Sequence, residues 1–368
     1  MKSKYKALGE LVCLVDERNK NSITNNLLGI NIDKYFMPSV ANVIGTDLSK
    51  YKLIKKDYFA CNPMHVGRDE RLPIALYSDE IPSIVSPAYF IFKIIDESVI
   101  IPEYLMLWFK RKEFDRECWL KTDGSVRGGI SWDDLCRIEV PVPYIMEQYK
   151  IVDNYQAITK RIVLKQQIND NLEVTAHTIY KEMISSVDSE KQDSIYSILS
   201  VINGSPFSSE QFNSEKRGYP LVRIRDLSKC DPDIYTDEVI NKMEYVNIGD
   251  ILIGMDGEFI PHIWYGRKGV LNQRVCKVVP TRNTIHPLFL YLTLKPILAE
   301  VQRTQGGTTV IHIGKKDFDR MVCVSLTEEE QIAFSMKVSP LYNKMLENYQ
   351  ETLLLNQMQA DILSLLSR

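Results

Sequence analysis

The chain has 368 residues, of which 45% are hydrophobic and 25% are charged, and its formal net charge is −3 at pH 7. This length is sufficient for two domains with separate cores, and the composition is that of a soluble globular protein. The slightly acidic balance excludes a globally basic nucleic-acid binder. Any contacts with nucleic acid must therefore come from local basic surfaces.

The apolar residues and the cysteines indicate where the protein works. No stretch approaches about 18 uninterrupted apolar residues, so we predict no membrane span and no membrane partner. The N-terminus lacks the apolar core of a secretory signal. The seven cysteines are scattered and form no CxxC pair. We interpret them as reduced thiols of a cytoplasmic protein and predict neither disulfides nor a metal site.

Residues 1–144 predict a first domain of mixed α/β class with many short strands. The pattern favours strands at 35–44, 53–61, 86–95 and 137–142. It also favours one helix from Pro102 to about residue 117, with the proline in the first turn. A glycine-rich loop at 121–129 lies between that helix and the last strand.

A long helix is predicted over residues 145–186, which contain neither proline nor glycine. Residues on one face recur at alternating steps of four and three, which is the seam of a coiled coil with two polar positions in its middle. The seam positions are Ile151, Tyr155, Ile158, Ile162, Lys165, Asn169, Leu172, Ala176, Ile179 and Met183.

The rest of the chain repeats this design. Residues 187–326 predict a second mixed α/β domain, and residues 327–368 predict a second long helix that opens with a capping box of Thr327 and Glu330. Its seam is the first seam displaced by 183 positions: Phe334, Val338, Leu341, Met345, Asn348, Thr352, Leu355, Gln359, Ile362 and Leu366.

A seam of this length cannot stay exposed to water. One interpretation is that each helix packs on its own domain, but the shared register favours pairing of the two helices. The polar positions Lys165, Asn169, Asn348 and Thr352 would then fix the register. A compact domain can bridge an antiparallel pair, whereas a parallel pair needs a return linker of about 60 Å that the sequence lacks. We therefore predict two similar heads joined by an antiparallel coiled coil.

Three motifs carry a resemblance to a known family. They are the segment V-N-I-G-D-I-L-I at 246–253, the G-G-T-T loop with its following strand at 306–313, and Glu-Gln at the start of each long helix. With the order head–helix–head–helix, they resemble the specificity (S) subunit of type I restriction–modification systems along the whole chain. The resemblance implies that each head is a target recognition domain for one half of a bipartite site in double-stranded DNA. The helices would act as a ruler across a nonspecific spacer.

The resemblance also implies the partners: two methyltransferase (M) subunits and two restriction (R) subunits. Adenine methylation with S-adenosylmethionine, and cleavage with ATP and Mg, would belong to those partners. For this chain we predict no catalytic residue, cofactor or metal. Segment 62–64 lacks the second proline and the aromatic residue of a DNA amino-methyltransferase motif, Asp69-Glu70 and Asp256-Gly257-Glu258 lack the lysine of a nuclease motif, and no P-loop occurs. The alternative is a stand-alone two-headed DNA-binding or interaction protein, or a nuclease, without methyltransferase partners.

Basic side chains, together with hydroxyl side chains of the glycine-rich loops, are candidate DNA contacts, because arginine can bridge phosphates or bind guanine with two hydrogen bonds. In the first head they are Arg68, Arg71, Lys121, Ser125 and Arg127. In the second head they are Arg223, Arg225, His262, Arg267, Lys268, Arg274, Thr308, Thr309 and His312. We expect Arg223 and Arg225 to share one face of a strand. We expect His262, Arg267, Lys268 and Arg274 to form one cluster. The alternative for each group is a solvated loop with surface charge.

The two heads also differ from each other. The best alignment by residue type places Lys56 opposite Gly249 and Tyr58 opposite Ile251. Residues 62–65 and 67–71 have no counterpart in the second head. Such divergence is expected if the heads read different half-sites.

Overall fold

A computed structural model describes residues 4–41, 45–64, 66–122, 128–187, 192–304 and 311–366. The chain forms two compact units, one of Met1–Lys160 with Asn356–Arg368 and the other of Arg161–Leu355. The boundary between the units therefore falls within both long helices. No helix in the described ranges is long and apolar enough to cross a membrane.

The first head contains short strands and short helices. The strands are β1 (Lys4–Ala7), β2 (Val12–Leu14), β3 (Leu28–Ile30), β4 (Phe36–Pro38), β5 (Lys52–Ile54), β6 (Phe59–Cys61), β7 (Ile74–Leu76), β8 (Ser83–Val85), β9 (Phe90–Ile94) and β10 (Glu139–Val142). The helices are α1 (Leu8–Leu11), α2 (Val66–Asp69), α3 (Pro102–Phe109), α4 (Lys112–Leu120) and α5 (Trp132–Cys136). The long helix α6 (Ile145–Ser186) follows.

The main sheet of the first head has the strand order β2-β9-β6-β7, and all of its pairings are antiparallel. Helix α3 belongs to the same core, because nearly all of its side chains are apolar and buried. The rings of Phe59 and Phe92 stack 5.1 Å apart, and Phe109 of α3 meets both rings edge-on. Strand β1 pairs with β10, so the first and last strands of the head are neighbours.

The prediction of one helix over 102–117 is wrong, because the helix is broken at residues 110–111 into α3 and α4. The buried ammonium group of Lys34 donates to the carbonyl of Phe109, the last residue of α3. The same ammonium lies 2.7 Å from the carboxylate of Asp115 in α4. One buried ion pair thus satisfies the open end of α3. Its lysine is 75 positions from that end, so helical periodicity cannot reveal it.

The second head has its own set of elements. The strands are β11 (Gln192–Ser194), β12 (Leu199–Asn203), β13 (Phe212–Asn213), β14 (Tyr219–Val222), β15 (Tyr235–Thr236), β16 (Tyr245–Val246), β17 (Ile251–Gly254), β18 (Pro261–Ile263), β19 (Gly269–Leu271), β20 (Val275–Pro280) and β21 (Val322–Val324). The helices are α7 (Pro287–Thr304), α8 (Lys315–Phe318) and the long helix α9 (Glu328–Leu365).

The second head repeats the sheet of the first. Its main sheet has the order β12-β20-β17-β18, again entirely antiparallel. Strand β11 pairs with β21 as β1 pairs with β10, and α7 packs on the sheet. A further sheet of order β13-β15-β14-β19-β16 completes this head. The predicted fold class, two tandem mixed α/β heads each followed by a long helix, is confirmed.

The turn before the central strand of each sheet corrects the alignment of the two heads. The turn has its positive φ at Asp57 (64°) in the first head and at Gly249 (89°) in the second. The strand then begins two residues later in both heads, at Phe59 and at Ile251. The counterpart of Gly249 is therefore Asp57 and not Lys56. Aspartate tolerates the left-handed conformation better than most residues, so the turn survives without glycine.

Each long helix is fixed to its head by a buried glutamine in its first turn. Gln148 is fully buried, and its amide nitrogen donates to two backbone carbonyls at 2.8 and 2.9 Å. Its amide oxygen accepts from the N–H of Ile101 at 3.0 Å. Gln331 of α9 donates to the carbonyl of Leu326 at 3.2 Å and accepts from the hydroxyl of Thr284 at 2.8 Å. The Glu-Gln motif therefore sets where each helix leaves its head.

Within the second unit, α6 and α9 run antiparallel. Arg161 of α6 forms an ion pair with Glu351 of α9. Two turns further along α6, Asn169 donates to the carbonyl of Met345, which lies earlier in α9. Ala176 of α6 is fully buried in the core of the second unit. The part of α6 from Arg161 onward therefore packs on the second head, which follows it in the chain.

The same direction holds within the first unit. Gln359 Nε2 donates to Thr159 Oγ1 at 2.6 Å, and Leu366 belongs to the same core as Val152 and Tyr155. All seam positions of both helices are buried or half-buried, whereas most positions between them are exposed. The predicted antiparallel coiled coil is confirmed.

Candidate nucleic-acid interface

In the second head, the segment that follows the glycine-rich loop is held against the end of β17. Two backbone hydrogen bonds of 3.1 and 2.9 Å join residues 255–257 to residues 311–313. Asp256 and His312 thereby form an antiparallel bridge. The bridge places two polar side chains just beyond the end of β17, next to residue 311, where the described chain resumes.

The first head anchors its glycine-rich loop in the same way at the end of β6. The N–H of Ile130 donates to the carbonyl of Pro63 at 3.1 Å, as the N–H of Ile313 does to its own partner in the second head. A Cβ at Gly129 would lie 2.9 Å from that carbonyl oxygen, so only glycine fits this position. Residues 62–64 therefore serve to anchor the loop.

We define the second-head corner as Asp256, Arg274 and His312. Asp256 Oδ1 lies 2.7 Å from Nδ1 of His312, and Asp256 Oδ2 lies 3.6 Å from Nε of Arg274. Because a carboxylate can only accept, the hydrogen bond places the imidazole proton on Nδ1. The side chains of His312 and Arg274 are 47% and 58% exposed, so the carboxylate holds two solvent-facing groups.

We define the first-head corner as Arg68, Asp69 and Arg71. A backbone hydrogen bond of 3.0 Å joins α2 to the end of the glycine-rich loop, so this helix lies beside the loop. Arg68 donates to Asp69 through Nε at 2.6 Å and Nη2 at 2.9 Å. These hydrogen bonds raise the pKa of the Arg68 guanidinium. Arg71 donates to Asp33 at 3.0 Å. Both heads thus present an arginine held by an aspartate beside a glycine-rich loop.

The prediction that Arg223 and Arg225 share a strand face is wrong. Strand β14 ends one residue before Arg223, and a 3-10 turn follows. The buried carboxylate of Asp226 accepts hydrogen bonds from both the backbone N–H and Nε of Arg223, at 3.0 and 2.9 Å. Arg223 therefore has a structural role. Arg225 is exposed, and its neighbour Ile224 lies over Gly254 at the end of β17. The turn therefore leaves Arg225 at the surface, next to a residue that packs on the end of β17.

Four residues predicted as one cluster are distributed over three environments: His262, Arg267, Lys268 and Arg274. His262 is half-buried on β18 and lines a cavity of about 200 Å³ with Tyr265 and Tyr349 of α9. Burial lowers the pKa of its imidazole. His262 therefore faces the long helices, while Arg274 belongs to the second-head corner.

Lys268 lies on an aromatic surface of the second head. Its Nζ is 4.3 Å from the ring centroid of Tyr245, whose ring is 5.3 Å from that of Tyr219. Arg267 is exposed next to Lys268, and its carbonyl accepts from the indole N–H of the buried Trp264 at 3.0 Å. Exposed cations on aromatic rings suit phosphate or base contacts.

The remaining predicted contacts lie in or next to the loops. Lys121 is half-buried at the end of α4, directly before the first-head loop. The others lie outside the described residues: Ser125, Arg127, Thr308 and Thr309.

The sequence does not single out Asp69 and Asp256 for this candidate interface, because its carboxylates were considered only as candidate nuclease groups. A usable signal was present. Asp256 comes two residues after the I-L-I-G strand, at the point where the repeat places the anchor of the loop.

The central polar positions of the long helices form a buried network in the second unit. Asn348 Nδ2 donates to Asn169 Oδ1 at 2.8 Å, and Lys165 Nζ lies 3.1 Å from Asn348 Oδ1 and 2.5 Å from Glu351. The hydrogen bond from Lys165 is the main cause that lowers the pKa of the Glu351 carboxyl. Thr352 donates to the Asn348 carbonyl of its own helix at 2.8 Å. Of the four polar positions, Lys165, Asn169 and Asn348 therefore contact each other across the helices, whereas Thr352 bonds within its own helix.

Comparison with known proteins matches the second head to a family. Residues 191–331 match the model described as the type I restriction modification DNA specificity domain. The match contains the second-head corner and the first turn of α9.

Two curated relatives extend this match. The type I restriction enzyme EcoBI specificity subunit of Escherichia coli is 34% identical over 134 residues, which cover 36% of this chain and 28% of that protein. The type I restriction enzyme MjaIX specificity subunit of Methanocaldococcus jannaschii is 23% identical over 302 residues, which cover 73% of this chain and 69% of that protein. The aligned part thus spans under a third of the first relative and about two thirds of the second.

A solved structure shows the same fold. The crystal structure of the type I restriction–modification system S subunit from M. genitalium has a TM-score of 0.54 at 13% identity, with 99% of this chain and 95% of that chain covered. The resemblance to specificity subunits of type I restriction–modification systems is confirmed by these matches.

Proposed function

We propose that this chain is the sequence-specific DNA-binding specificity subunit of a type I restriction–modification complex. Each head reads one half of a bipartite site in double-stranded DNA, and α6 and α9 fix the spacer between the halves. The observation that carries the proposal is that each head has a corner of this kind, although the two corners are built from residues that are not equivalent. Both heads hold an arginine with an aspartate beside an anchored glycine-rich loop.

The chemistry of the corners suits DNA. A guanidinium offers two parallel donors, which match guanine O6 and N7 in the major groove or a phosphate group. Glycine in the loop allows the backbone to come close to phosphates. The corners differ in their other side chains, Arg71 in the first head and His312 in the second. Two different readers suit a site whose halves differ in sequence.

In this proposal the chain binds and measures DNA, and the reactions take place on its partners. Two methyltransferase subunits transfer the methyl group of S-adenosylmethionine to adenine. Two restriction subunits use ATP and Mg to cleave the DNA. The chain itself holds no cofactor and contributes no catalytic residue, and the complex works in the cytoplasm.

The test is methylome sequencing of cells that express the chain with the methyltransferase encoded beside it. We expect N6-methyladenine at one bipartite motif with a fixed spacer. Cells that express the methyltransferase alone are the control, and they should lack that motif.

A methylome without any bipartite motif would contradict the proposal. So would the failure of this chain to form a stable complex with the methyltransferase on co-purification. That second result would favour a stand-alone two-headed DNA-binding protein.

A further inference from the structure

The geometry points to Asp256 as a positioning residue that sets the base specificity of the second head. It acts by orienting His312 and Arg274 toward the bases of one half-site. This inference rests on the proposed function and names part of the contact that the function leaves open.

Asp256 connects two side chains from separate parts of the second head. His312 is 56 positions away along the chain, and its Nδ1 lies 2.7 Å from one carboxylate oxygen. Arg274 Nε lies 3.6 Å from the other oxygen. Exposed histidine and arginine side chains otherwise sample several rotamers, whereas a side chain that contacts a base edge must keep a single rotamer. A carboxylate with a partner on each oxygen can hold both side chains in a single rotamer.

The hydrogen bond also determines what His312 offers to DNA. With the proton on Nδ1, a neutral imidazole presents Nε2 as an acceptor, and Nε2 has no partner among the described residues. In the major groove an acceptor matches the amino groups of adenine and cytosine. The outer nitrogens of Arg274 are donors, which match guanine O6 and N7. An acceptor beside a donor can therefore distinguish one base pair from another, whereas a contact with phosphate cannot.

The carboxylate itself is unfavourable for general DNA affinity. A negative charge at such a surface repels phosphates, so it weakens binding to any sequence. A residue with that effect improves specificity by opposing wrong partners while it orients the correct contacts.

The device belongs to the second head alone. The counterparts of Asp256 and His312 in the aligned first head are Met64 and Gly129. Neither can form an ion pair or read a base edge. A change at Asp256 should therefore affect only one half-site.

The test uses the complex of the chain with its methyltransferase subunits and DNA duplexes with single base changes in either half-site. Kd is measured for the correct duplex and for each changed duplex. The half-site of the second head is identified beforehand by exchange of that head. We expect Asp256→Ala to lower discrimination at one position of this half-site by about tenfold. Discrimination at the other half-site should stay the same, and affinity for unrelated DNA should not fall.

Two further variants separate orientation from general structure. Asp256→Asn keeps an oxygen that can accept from His312 Nδ1, so it should retain most of the discrimination. Glu300→Ala removes an exposed ion pair with Arg303 on α7 and is the matched control. It should leave all ratios unchanged.

Unchanged discrimination in Asp256→Ala, or an equal loss at both half-sites, would overturn the inference. If this variant does not assemble with the methyltransferase subunits, His312→Ala is measured in its place. Unchanged ratios of Kd between changed and correct duplexes in that variant would overturn the inference as well. A wild-type complex without any bipartite site would instead contradict the proposed function.

Discussion

At the residue scale, buried polar side chains decide where several elements begin and end. Lys34 closes the end of α3, Gln148 and Gln331 fix the long helices, and Asp226 caps a 3-10 turn. Each satisfies backbone groups that the interior would otherwise leave without partners. The loss of such a partner costs about 1–3 kcal/mol, so these residues are as important to the fold as the apolar core.

His286 provides a prediction about pH. Its Nδ1 accepts from the N–H of Leu288 at 3.1 Å at the start of α7, and burial lowers the pKa of the imidazole to about 4. The folded pKa lies below the ordinary value of 6.5, so between these values the unfolded chain binds more protons. Stability should therefore fall as pH falls from 6.5 toward 4.

The measurement compares thermal unfolding of the wild type with His286→Asn, since asparagine can also cap a helix but does not titrate. Between pH 6.5 and 5 the wild type should lose about 1 kcal/mol more than the variant, after allowance for screening by solvent. His177→Asn, at an exposed position of α6, is the control and should follow the wild type. Equal losses in all three proteins would refute the role of His286.

At this scale, the sequence does not predict the contacts between residues that are distant in the chain. Arginine, histidine and glycine near the loops are visible in the sequence, and Arg274 and His312 both lie beside Asp256. The sequence does not show that Asp256 joins them, because that contact depends on how β17 and the loop segment pair. It also does not show that Arg223 forms an ion pair with Asp226, because a single turn leaves no periodic signal.

At the element scale, the asparagine pair of the coiled coil makes an energetic prediction. Asn169 and Asn348 are 2% and 1% exposed, and their amide groups bond to each other and to a backbone carbonyl. Asn169→Leu alone leaves the buried amide of Asn348 without its acceptor, which should cost about 1–3 kcal/mol. The double change to leucine removes both polar groups from an apolar seam and should be more stable than either single variant.

Urea unfolding of the four proteins in this double-mutant cycle gives the coupling between the two residues. Asn171→Leu adds a leucine at an exposed position of α6 and controls for the change of residue type. We expect the double variant to loosen the register, because two polar side chains that prefer each other no longer select it. The methylome should then show more than one spacer length. A single unchanged spacer would argue against the register role.

Periodicity explains which elements could be predicted. The seams of α6 and α9 repeat over ten positions each, so the existence of both helices and their shared register follow from periodicity. Their antiparallel direction follows instead from the length of chain that connects them. Strands of three residues carry too little pattern to be placed well, and the alignment of the heads was one residue off at Gly249. That turn is conserved in conformation but not in residue type, because Asp57 adopts the left-handed conformation in place of glycine.

At the scale of the whole molecule, each head is closed by its own terminal strands. Strand β1 pairs with β10 in the first head, and β11 pairs with β21 in the second. Both chain connections of a head therefore leave from one place. Such a head resembles an inserted module more than a segment of a continuous fold.

This construction predicts the outcome of a head exchange. Replacement of residues 192–324 by the equivalent part of a known type I specificity subunit keeps β11 and β21 together. We expect the complex to assemble and its methylome to change in one half of the motif only, with the spacer unchanged. The matched control replaces residues 192–321, so β11 comes from the other protein while β21 stays native. The two paired strands are then mismatched, and the protein should be less stable. A change in both halves of the motif would contradict the assignment of one half-site to each head.

The discontinuous first unit has a consequence for biosynthesis. Gln359 contacts Thr159, which lies 200 positions earlier in the chain, and Leu366 completes the core that contains Val152 and Tyr155. At about 5–20 residues per second, a ribosome needs about 10–40 s to add those 200 residues. During that interval the nascent first head carries an uncovered apolar seam. Rare codons in the second half of the gene would prolong this exposure, so the speed of translation bears directly on the yield of folded protein.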